Sequence, residues 1–227
     1  MPTIIEANDI HRTFGTGELE TRVLKGITLT VSAGDFVAIM GKSGAGKSTL
    51  MYQLSVLDHP TTGRVTVDGV NVASLSESEQ TRFRLNTLGY VFQDYALVPD
   101  LSAEENIMVP LLMRGLSWEE AKTKAREALT GVGLPGKERN LPAQLSGGEQ
   151  QRVSVARAIA GGPKIIFADE PTANLDSVSG NAIIELLRDL NRRGQTIVMV
   201  THEEEYTKYC NRIIDMEDGR ITGERRP

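Results

Sequence analysis

The sequence predicts an α/β fold with a mainly parallel sheet, a small antiparallel β-subdomain and an inserted α-helical subdomain. Three short apolar runs, at 36–40, 164–168 and 196–200, predict buried strands. Helical patterns separate these runs, and apolar strands that alternate with helices are typical of a parallel sheet covered on both faces. The chain has 227 residues, of which 40% are hydrophobic and 24% charged, and this balance indicates a globular core.

Turn and cap residues assign the flanking elements. The pairs Asp68-Gly69 and Asp218-Gly219 each interrupt an alternating apolar pattern, which predicts two β-hairpins, over 63–72 and 213–221. We expect the early strands, within about 3–37, to join the first hairpin in the antiparallel sheet. Asp176 is positioned to cap a helix over 177–193, and Gly194 to end it.

A helical segment interrupts the β-rich pattern from about residue 94. Ser102 with Glu105, and Ser117 with Glu120, fit the capping box that begins a helix. We therefore treat 1–227 as a single domain, in which 1–93 and 155–227 form the α/β core with its antiparallel subdomain. Residues 94–154 form the helical subdomain.

Charge and hydropathy exclude several functional classes. The net charge of −5 argues against a broad nucleic-acid surface, so no nucleic-acid partner is expected. The single cysteine, Cys210, excludes a disulfide framework within the chain and fits a reducing compartment. No stretch approaches 18 consecutive apolar residues, and the first residues lack the pattern of a signal peptide. We therefore expect a cytoplasmic protein that docks on a membrane partner.

A phosphate-binding loop follows the strand at 36–40. The pattern G-x-x-x-x-G-K-S stands between this strand and a helix predicted to run to about Leu57, which is the context that the motif requires. Its glycines allow backbone N–H groups to surround a phosphate, Lys47 supplies a positive charge, and the Ser48 hydroxyl binds Mg²⁺. The nucleotide-binding residues predicted here are Gly41, Lys42, Ser43, Gly44, Ala45, Gly46, Lys47, Ser48 and Thr49.

Two carboxylates end the strand at 164–168. Asp169 and Glu170 lie where parallel strands present their carboxyl ends, the edge of the sheet at which ligands bind. We expect Asp169 to hold the Mg²⁺ shell and Glu170 to act on the attacking water as general base or as a water-positioning group.

The run Leu145-Ser146-Gly147-Gly148-Glu149-Gln150 resembles the signature sequence of ATP-binding-cassette (ABC) ATPases. The resemblance covers essentially the whole chain, with the motifs in the family's order. It implies the ABC ATPase fold, in which a RecA-like P-loop NTPase core carries the antiparallel and helical subdomains. It also implies an enzyme that hydrolyses ATP with Mg²⁺.

The resemblance assigns further roles residue by residue. Gln93 is similar to the family's Q-loop glutamine, which reaches Mg²⁺ or the attacking water. Asp176 is similar to the D-loop aspartate, which contacts the opposite active site, and His202 to the switch histidine, which bonds the γ-phosphate. Phe14 occupies the position of the aromatic residue that stacks on adenine, where tyrosine is commoner. The predicted catalytic residues are thus Glu170, His202, Gln93 and Lys47, and the metal ligands Ser48, Gln93 and Asp169.

The residues of the signature run also indicate an anion-binding site independently of the resemblance. Ser146, Gly147 and Gly148 precede a helix predicted to begin near Glu149, which makes a second anion-binding helix N-terminus. One ATP needs one such cradle, so a second is useful for the ATP of another copy. The resemblance implies this arrangement, a head-to-tail dimer of two chains with two ATPs.

Within the family, the segments 144–157 and 167–176 resemble the LolD/MacB group of lipoprotein-release and macrolide-efflux ATPases and their relative FtsE. This implies an integral membrane permease as partner, docked on the helical subdomain near Gln93. The apolar run 95–99, with Ile107, Val109, Leu111 and Leu112, provides such a surface or the subdomain's own core. An ATP-gated regulator of envelope or cell-division machinery, like FtsE, is the alternative function. A DNA-associated ATPase would need a long coiled-coil insertion, which this chain has no room for.

Overall fold

The computed structural model describes residues 1–227, except for the side chain of residue 18. The chain divides into two compact units, a first unit of residues 1–82 and 190–227 and a second unit of residues 83–189. In chain order the elements are β1 (Thr3–Phe14), β2 (Thr21–Ser32), β3 (Phe36–Met40), α1 (Lys47–Leu54), β4 (Thr62–Val67), β5 (Val70–Asn71), α2 (Glu77–Thr87), β6 (Leu88–Val91), α3 (Ala103–Met113), α4 (Trp118–Gly131), α5 (Gly147–Ile159), β7 (Ile165–Asp169), α6 (Ser177–Arg192), β8 (Thr196–Val200), β9 (Arg212–Glu217) and β10 (Arg220–Arg225).

The first unit contains two groups of paired strands. The early strands join the first hairpin in an antiparallel sheet, as the sequence predicts, and the order of this sheet is β2-β1-β4-β5. In the other group, β3 pairs in parallel with β8 on one side and with β9 on the other, and β10 joins β9 antiparallel. Every residue of β3 and β8 is buried, which explains why their sequences are apolar except for Thr196 at the start of β8.

Both predicted hairpins of the first unit are confirmed. Asp68 and Gly69 join β4 to β5 with φ values of 51° and 76°, and Asp218 and Gly219 join β9 to β10 with 47° and 73°. Two consecutive positive φ values define the type I′ turn, whose twist matches that of the flanking strands. Asp-Gly is the sequence signature of this turn, so the short-range signal was sufficient.

The helix that follows the phosphate-binding loop is shorter than the sequence predicts. It ends at Leu54 instead of about Leu57, because Val56 takes a left-handed conformation with φ 60°. The N–H groups of Leu57 and Asp58 turn back to the carbonyl oxygen of Tyr52, at 3.0 and 3.1 Å. A β-branched residue rarely adopts this conformation, so propensity gives no warning of it.

The second unit combines a parallel strand pair with a helical layer. β6 and β7 pair in register from Leu88 with Ile165 to Val91 with Ala168. Helices α3, α4 and α5 pack on one another around a core that includes Ile107, Leu111 and Leu129. The boundary predicted between residues 154 and 155 falls inside α5, and the bounds of the helical subdomain stay a prediction.

The helix starts of the second unit follow the sequence closely. Ser102 and Ser117 cap α3 and α4, and both capping boxes are present. Asp176 caps α6, which ends at Arg192, and Gly194 follows with φ 95°. Among the described residues, none lies in a helix both long and apolar enough to cross a membrane.

Two elements were missed by the sequence analysis. α2 has the sequence ESEQTRFRLNT, which is polar on most sides and lacks an apolar stripe. β6 has only four residues and includes Gly89, where an added Cβ would lie 2.5 Å from the carbonyl oxygen of Ala158. Close packing against α5, not a local pattern, decides this strand.

Candidate active site

The loop that follows β3 in the first unit has glycine where a side chain would find no room. Gly41 has φ 154°, and a Cβ there would lie 2.3 Å from the carbonyl oxygen of Met216. Gly46 has φ 94° directly before α1, and its Cβ would approach the Leu24 side chain to 3.2 Å. The loop therefore follows a path that glycine adopts readily, and it leads into the N-terminus of a helix, where anions bind.

Lys47 is the first residue of α1 and only 6% exposed. Its Nζ donates to the carbonyl oxygens of Gly41 and Lys42, at 2.9 and 3.1 Å. These bonds hold the ammonium group beside the start of the phosphate-binding loop, so its positive charge lies next to the glycines of the loop. Ser48, the next residue, is half-buried on the same first turn.

Phe14 ends β1, and 43% of it is exposed. The guanidinium carbon of Arg12 lies 4.4 Å from the centroid of the Phe14 ring, which is a cation–π contact. Asp58 fixes this guanidinium through two contacts of 2.8 Å, from Oδ1 to Nη2 and from Oδ2 to Nε. Arg12 and Asp58 therefore hold one face of the ring, an arrangement that the sequence analysis did not anticipate.

His202 follows β8 at the same edge of the first unit as Gly41 follows β3. Ile39 and Val200 are register partners in the parallel pair, and the Thr201 N–H donates to the Ile39 carbonyl oxygen at 3.2 Å. Since the carboxyl ends of parallel strands meet at one edge, the exposed His202 side chain belongs to the edge that carries the phosphate-binding loop.

Asp169 is the last residue of β7 in the second unit, and Glu170 follows it. Asp169 is 7% exposed, whereas Glu170 is half-buried. Glu170 has φ 43°, in the left-handed region that residues other than glycine seldom adopt. Such backbone strain is concentrated at functional sites, so the conformation of Glu170 is an argument for a role beyond packing.

The signature run forms a capped helix start in the second unit. The Ser146 Oγ accepts from the Glu149 N–H at 3.3 Å, and the Glu149 carboxylate accepts from the Ser146 N–H at 2.9 Å. Lys137 pairs with the other oxygen of Glu149 at 2.9 Å. The bond from Lys137, followed by that from Ser146, keeps the pKa of Glu149 below its ordinary value. Gly147 and Gly148 are the first two residues of α5.

Asp176 performs the capping half of its predicted double role. Its Oδ1 accepts from the N–H groups of Val178 and Ser179, both at 3.0 Å, and its Oδ2 accepts from the Ser179 hydroxyl at 2.8 Å. These bonds, with those from Ser179 the strongest, lower the pKa of Asp176. The side chain is exposed and charged at the start of α6.

Gln93 lies directly beyond β6, in a segment whose contacts the sequence analysis did not foresee. Tyr95, which appeared only as part of an apolar run, donates its hydroxyl to the carbonyl oxygen of Asn174 at 3.4 Å. Burial, with a smaller effect of Asp94, raises the pKa of the Tyr95 phenol, so it remains a donor at neutral pH. Asn174, in turn, donates to the segment around Gln93. No short-range pattern reveals a contact between residues so far apart in the chain.

The predicted residues thus fall into two groups, one in each unit. The first unit contains Phe14, the loop 41–49 and His202. The second contains Gln93, the run 146–149, Asp169, Glu170 and Asp176.

Comparison with known proteins identifies the family. The model of the ABC transporter family matches residues 24–173. An uncharacterised ABC transporter ATP-binding protein of Methanocaldococcus jannaschii is 47% identical over 96% of this chain and 97% of its own length. The macrolide export ATP-binding/permease protein MacB of Marinobacter nauticus is 48% identical over 96% of this chain, which spans 34% of that protein.

Solved structures agree with the sequence comparison. The ATP-binding cassette MJ0796, as a dimer in a post-hydrolysis state with ADP and phosphate, has a TM-score of 0.91 and 39% identity, covering 98% of both chains. A second dimeric structure of the same cassette has a TM-score of 0.91 and 40% identity. The predicted α/β fold of an ABC ATPase is confirmed. This chain belongs to the ABC transporter family and is one of its ATP-hydrolysing cassettes.

Proposed function

We propose that this chain is the Mg-ATP-hydrolysing motor of a membrane permease of the lipoprotein-release or macrolide-efflux type. The observation that carries this is the 48% identity, over 96% of the chain, with a protein named for macrolide export and for both ATP binding and permease activity. The place of action would be the cytoplasmic face of the membrane, reached through the permease.

The two groups of site residues supply the chemistry of hydrolysis. The N–H groups of the loop 41–49 and the Lys47 ammonium bind the β- and γ-phosphates, and His202 bonds the γ-phosphate. Glu170 takes a proton from water while the water oxygen forms a bond to the γ-phosphorus. The bond from that phosphorus to the bridging oxygen breaks, and ADP and phosphate are released.

The predicted metal ligands fit Mg²⁺ in their chemistry. Ser48 offers a hydroxyl oxygen, Gln93 an amide oxygen and the largely buried Asp169 a carboxylate, and Mg²⁺ prefers such hard oxygen donors. When bound, the ion neutralises charge that develops on the phosphates.

Phe14 would bind the adenine through its ring. Arg12 occupies one face of that ring at 4.4 Å, so a stacked base uses the opposite face. The substitution of phenylalanine for tyrosine keeps the stacking surface and removes only a hydroxyl.

A second copy of the chain would complete each site. At the N-terminus of α5, Ser146 and Gly148 line an open pocket together with Lys137, Glu149 and Arg152. This pocket offers N–H donors and basic side chains suited to the phosphates of an ATP held by another copy. The dimeric state of the solved cassettes supports the same arrangement.

The permease would dock on the second unit. A groove of about 210 Å³ is lined by apolar residues, among them Leu85, Tyr90, Phe92 and Pro110, and by Arg114 and Arg157. Of the apolar residues considered from the sequence, Ile107 and Leu111 are buried in the unit's own core. Val98 and Val109 are 46% and 39% exposed and remain candidates for docking.

The first test is the mass of the Glu170→Gln variant, measured by light scattering after size exclusion with and without ATP. Removal of the base should slow hydrolysis by roughly 10²- to 10⁴-fold while ATP still binds. We expect a shift from the 24.8 kDa monomer to about twice that mass only with ATP.

The matched control adds Ser146→Arg to the Glu170→Gln variant. The arginine side chain fills the pocket at the N-terminus of α5, which is proposed to bind the ATP of another copy. Since the phosphate-binding loop is unchanged, this variant should bind ATP normally and remain a monomer. Near-normal turnover by Glu170→Gln, or loss of ATP binding by the Ser146→Arg monomer, would contradict the assigned roles.

A further inference from the structure

Two loops of the second unit are bonded to each other by one asparagine. We call residues 92–96, which follow β6, the Gln93 loop, and residues 171–176, which follow β7, the Asp176 loop. The Nδ2 of Asn174 donates to the carbonyl oxygen of Gln93 at 3.2 Å and to Oδ1 of Asp94 at 3.0 Å. An amide nitrogen has two hydrogens, so both donor positions of Asn174 are used on the Gln93 loop.

Tyr95 forms the reverse bond. Its hydroxyl donates to the backbone carbonyl oxygen of Asn174 at 3.4 Å. The same oxygen of Tyr95 would lie 2.9 Å from a Cβ added at Gly147, on the first turn of the signature helix α5. Tyr95 therefore lies against both the Asp176 loop and the signature run.

A buried glutamine on α5 links the two loops a second time. Gln151 is 0% exposed, and its Nε2 donates to the carbonyl oxygens of Pro171 at 2.7 Å and Phe92 at 3.3 Å. Its bonds join the beginnings of both loops, whereas those of Asn174 join their middles. Asn174 and Gln151 thus hold the Gln93 loop at two different points along its length.

The Gln93 loop has a backbone conformation that needs such support. Tyr95 and Ala96 have φ values of 60° and 49°, and consecutive left-handed residues with side chains are unfavourable. The Arg157 guanidinium donates to the carbonyl oxygens of both residues, with 2.8 Å to that of Tyr95. Strained backbone persists only where neighbours enforce it, and it is typical of functional loops.

We propose that Asn174 is a positioning residue for ATP hydrolysis, which holds the Gln93 backbone so that the Gln93 loop and the Asp176 loop move together. Asn174 does not act on the nucleotide itself. By holding the Gln93 backbone, it sets the direction of the Gln93 side chain. Because Asn174 is itself part of the Asp176 loop, its bonds to Gln93 and Tyr95 connect the Gln93 loop to the loop whose Asp176 would contact a second copy. The inference rests on the proposed role of Gln93.

The test compares Gln93→Ala, Asn174→Ala and the double variant in steady-state ATP hydrolysis by the full chain. Loss of a positioning contact should lower kcat on the order of tenfold for Asn174→Ala. KM for ATP should stay within about twofold, since the phosphate-binding loop belongs to the first unit. In the Gln93→Ala background the second substitution should have no further effect, because Asn174 acts through Gln93.

The matched control is Asn181→Ala. Asn181 is a half-buried asparagine, and its Nδ2 donates to the Ser177 carbonyl oxygen within its own helix, at 2.7 Å. We expect its kcat and melting temperature to equal those of the original chain. A melting temperature for every variant separates loss of folded protein from loss of turnover.

An isosteric pair keeps the test valid if Asn174→Ala does not fold. Asn174→Asp removes both amide donors and places a carboxylate beside Asp94, so kcat should fall at least as far. Adding Asp94→Asn restores one bond in the reverse direction, and we expect part of kcat to return.

Three results would overturn the inference alone, provided that Gln93→Ala itself lowers kcat. The first is a kcat of Asn174→Ala within about twofold of the original. The second is that Asn174→Ala lowers kcat by the same factor in the Gln93→Ala background as in the original chain. The third is that adding Asp94→Asn to Asn174→Asp restores no kcat. Unchanged kcat in Gln93→Ala would overturn the proposed role of Gln93 together with the inference.

Discussion

Glu170 and Cys210 show how much a single residue owes to its surroundings. Glu170 has φ 43°, a conformation that costs an ordinary residue about 1–2 kcal/mol. The N–H of Ala173 donates to its carbonyl oxygen at 3.1 Å, which closes the turn after β7. The sequence shows a carboxylate at this position but gives no sign of its left-handed backbone, because glycine is the residue usually found in that conformation.

Cys210 is 5% exposed, and burial raises the pKa of its thiol to about 12. We expect no reaction with a thiol reagent at about pH 8 in the folded chain, since the thiolate is the reactive form. In denaturant the single cysteine should react completely. With a disulfide reagent that releases a coloured thiolate, absorbance measures the reaction rate of Cys210 in the folded and in the unfolded chain.

Fast labelling of the folded chain would contradict this expectation. The free thiol of glutathione, at the same pH, supplies the reference rate. Because the chain has one cysteine, the signal comes from Cys210 alone.

At the scale of the element, helices and strands with a pattern in their own residues were predictable, as β3 and β8 are among the strands. The Ser-x-x-Glu pattern contains its own bonding partners within four residues, so α3 and α4 begin where the sequence indicates. The same pattern stands before α2, where the Ser76 N–H donates to the Glu79 carboxylate at 2.8 Å and the Glu79 N–H donates to the Ser76 Oγ at 3.4 Å, and the sequence analysis overlooked it. β6 lacks such a local signal, and its existence depends on packing within the fold. The early end of α1 at Leu54 has a similar origin in the left-handed Val56.

The capping boxes of α4 and α5 allow a prediction with a built-in control. Ser117 and Ser146 each accept from the N–H of the glutamate three residues later, at 3.3 Å in both cases. Replacement of either serine by alanine should lower the free energy of unfolding by about 1 kcal/mol in urea titrations.

Only Ser146→Ala should also weaken ATP-dependent dimerisation in the Glu170→Gln background, because only this cap is proposed to face ATP. The measurement is the mass by light scattering across a range of chain concentrations. Equal weakening by Ser117→Ala would show that helix stability, not the pocket at the N-terminus of α5, controls dimerisation.

At the scale of the whole molecule, the site residues are divided between two units of the chain. The phosphate-binding loop, Phe14 and His202 lie in the first, and Gln93, the signature run, Asp169 and Glu170 lie in the second. Many of the carboxylates whose pKa departs from its ordinary value are helix caps of the second unit. Acid should therefore act strongly on this unit.

The pH dependence of stability follows from the sign of these shifts. Bonds from Ser102 and Ser117 keep the pKa of Glu105 and Glu120 below the ordinary 4.5. A carboxyl whose folded pKa is lowered stabilises the fold above its unfolded pKa and loses that contribution as pH falls through the folded value. We expect the free energy of unfolding to decrease below pH 4.5, measured in urea at pH 7 and about pH 3.5.

The double variant Glu105→Gln, Glu120→Gln should show a smaller decrease between the two pH values. Glu127→Gln, a change at an exposed glutamate of α4, is the control and should behave like the original chain. The same decrease in all three chains would disprove the contribution of the caps.

The sequence by itself determined the features that depend on neighbours along the chain. These include the phosphate-binding loop, the two Asp-Gly hairpins, the capping boxes and the carboxylates after a buried strand, since each is built from contacts within a few residues. The tertiary structure alone decided the bond between Asn174 and Gln93, which are 81 residues apart, and the cover of Phe14 by Arg12 with Asp58. Such contacts depend on how strands and helices pack in three dimensions, and no local pattern encodes that packing.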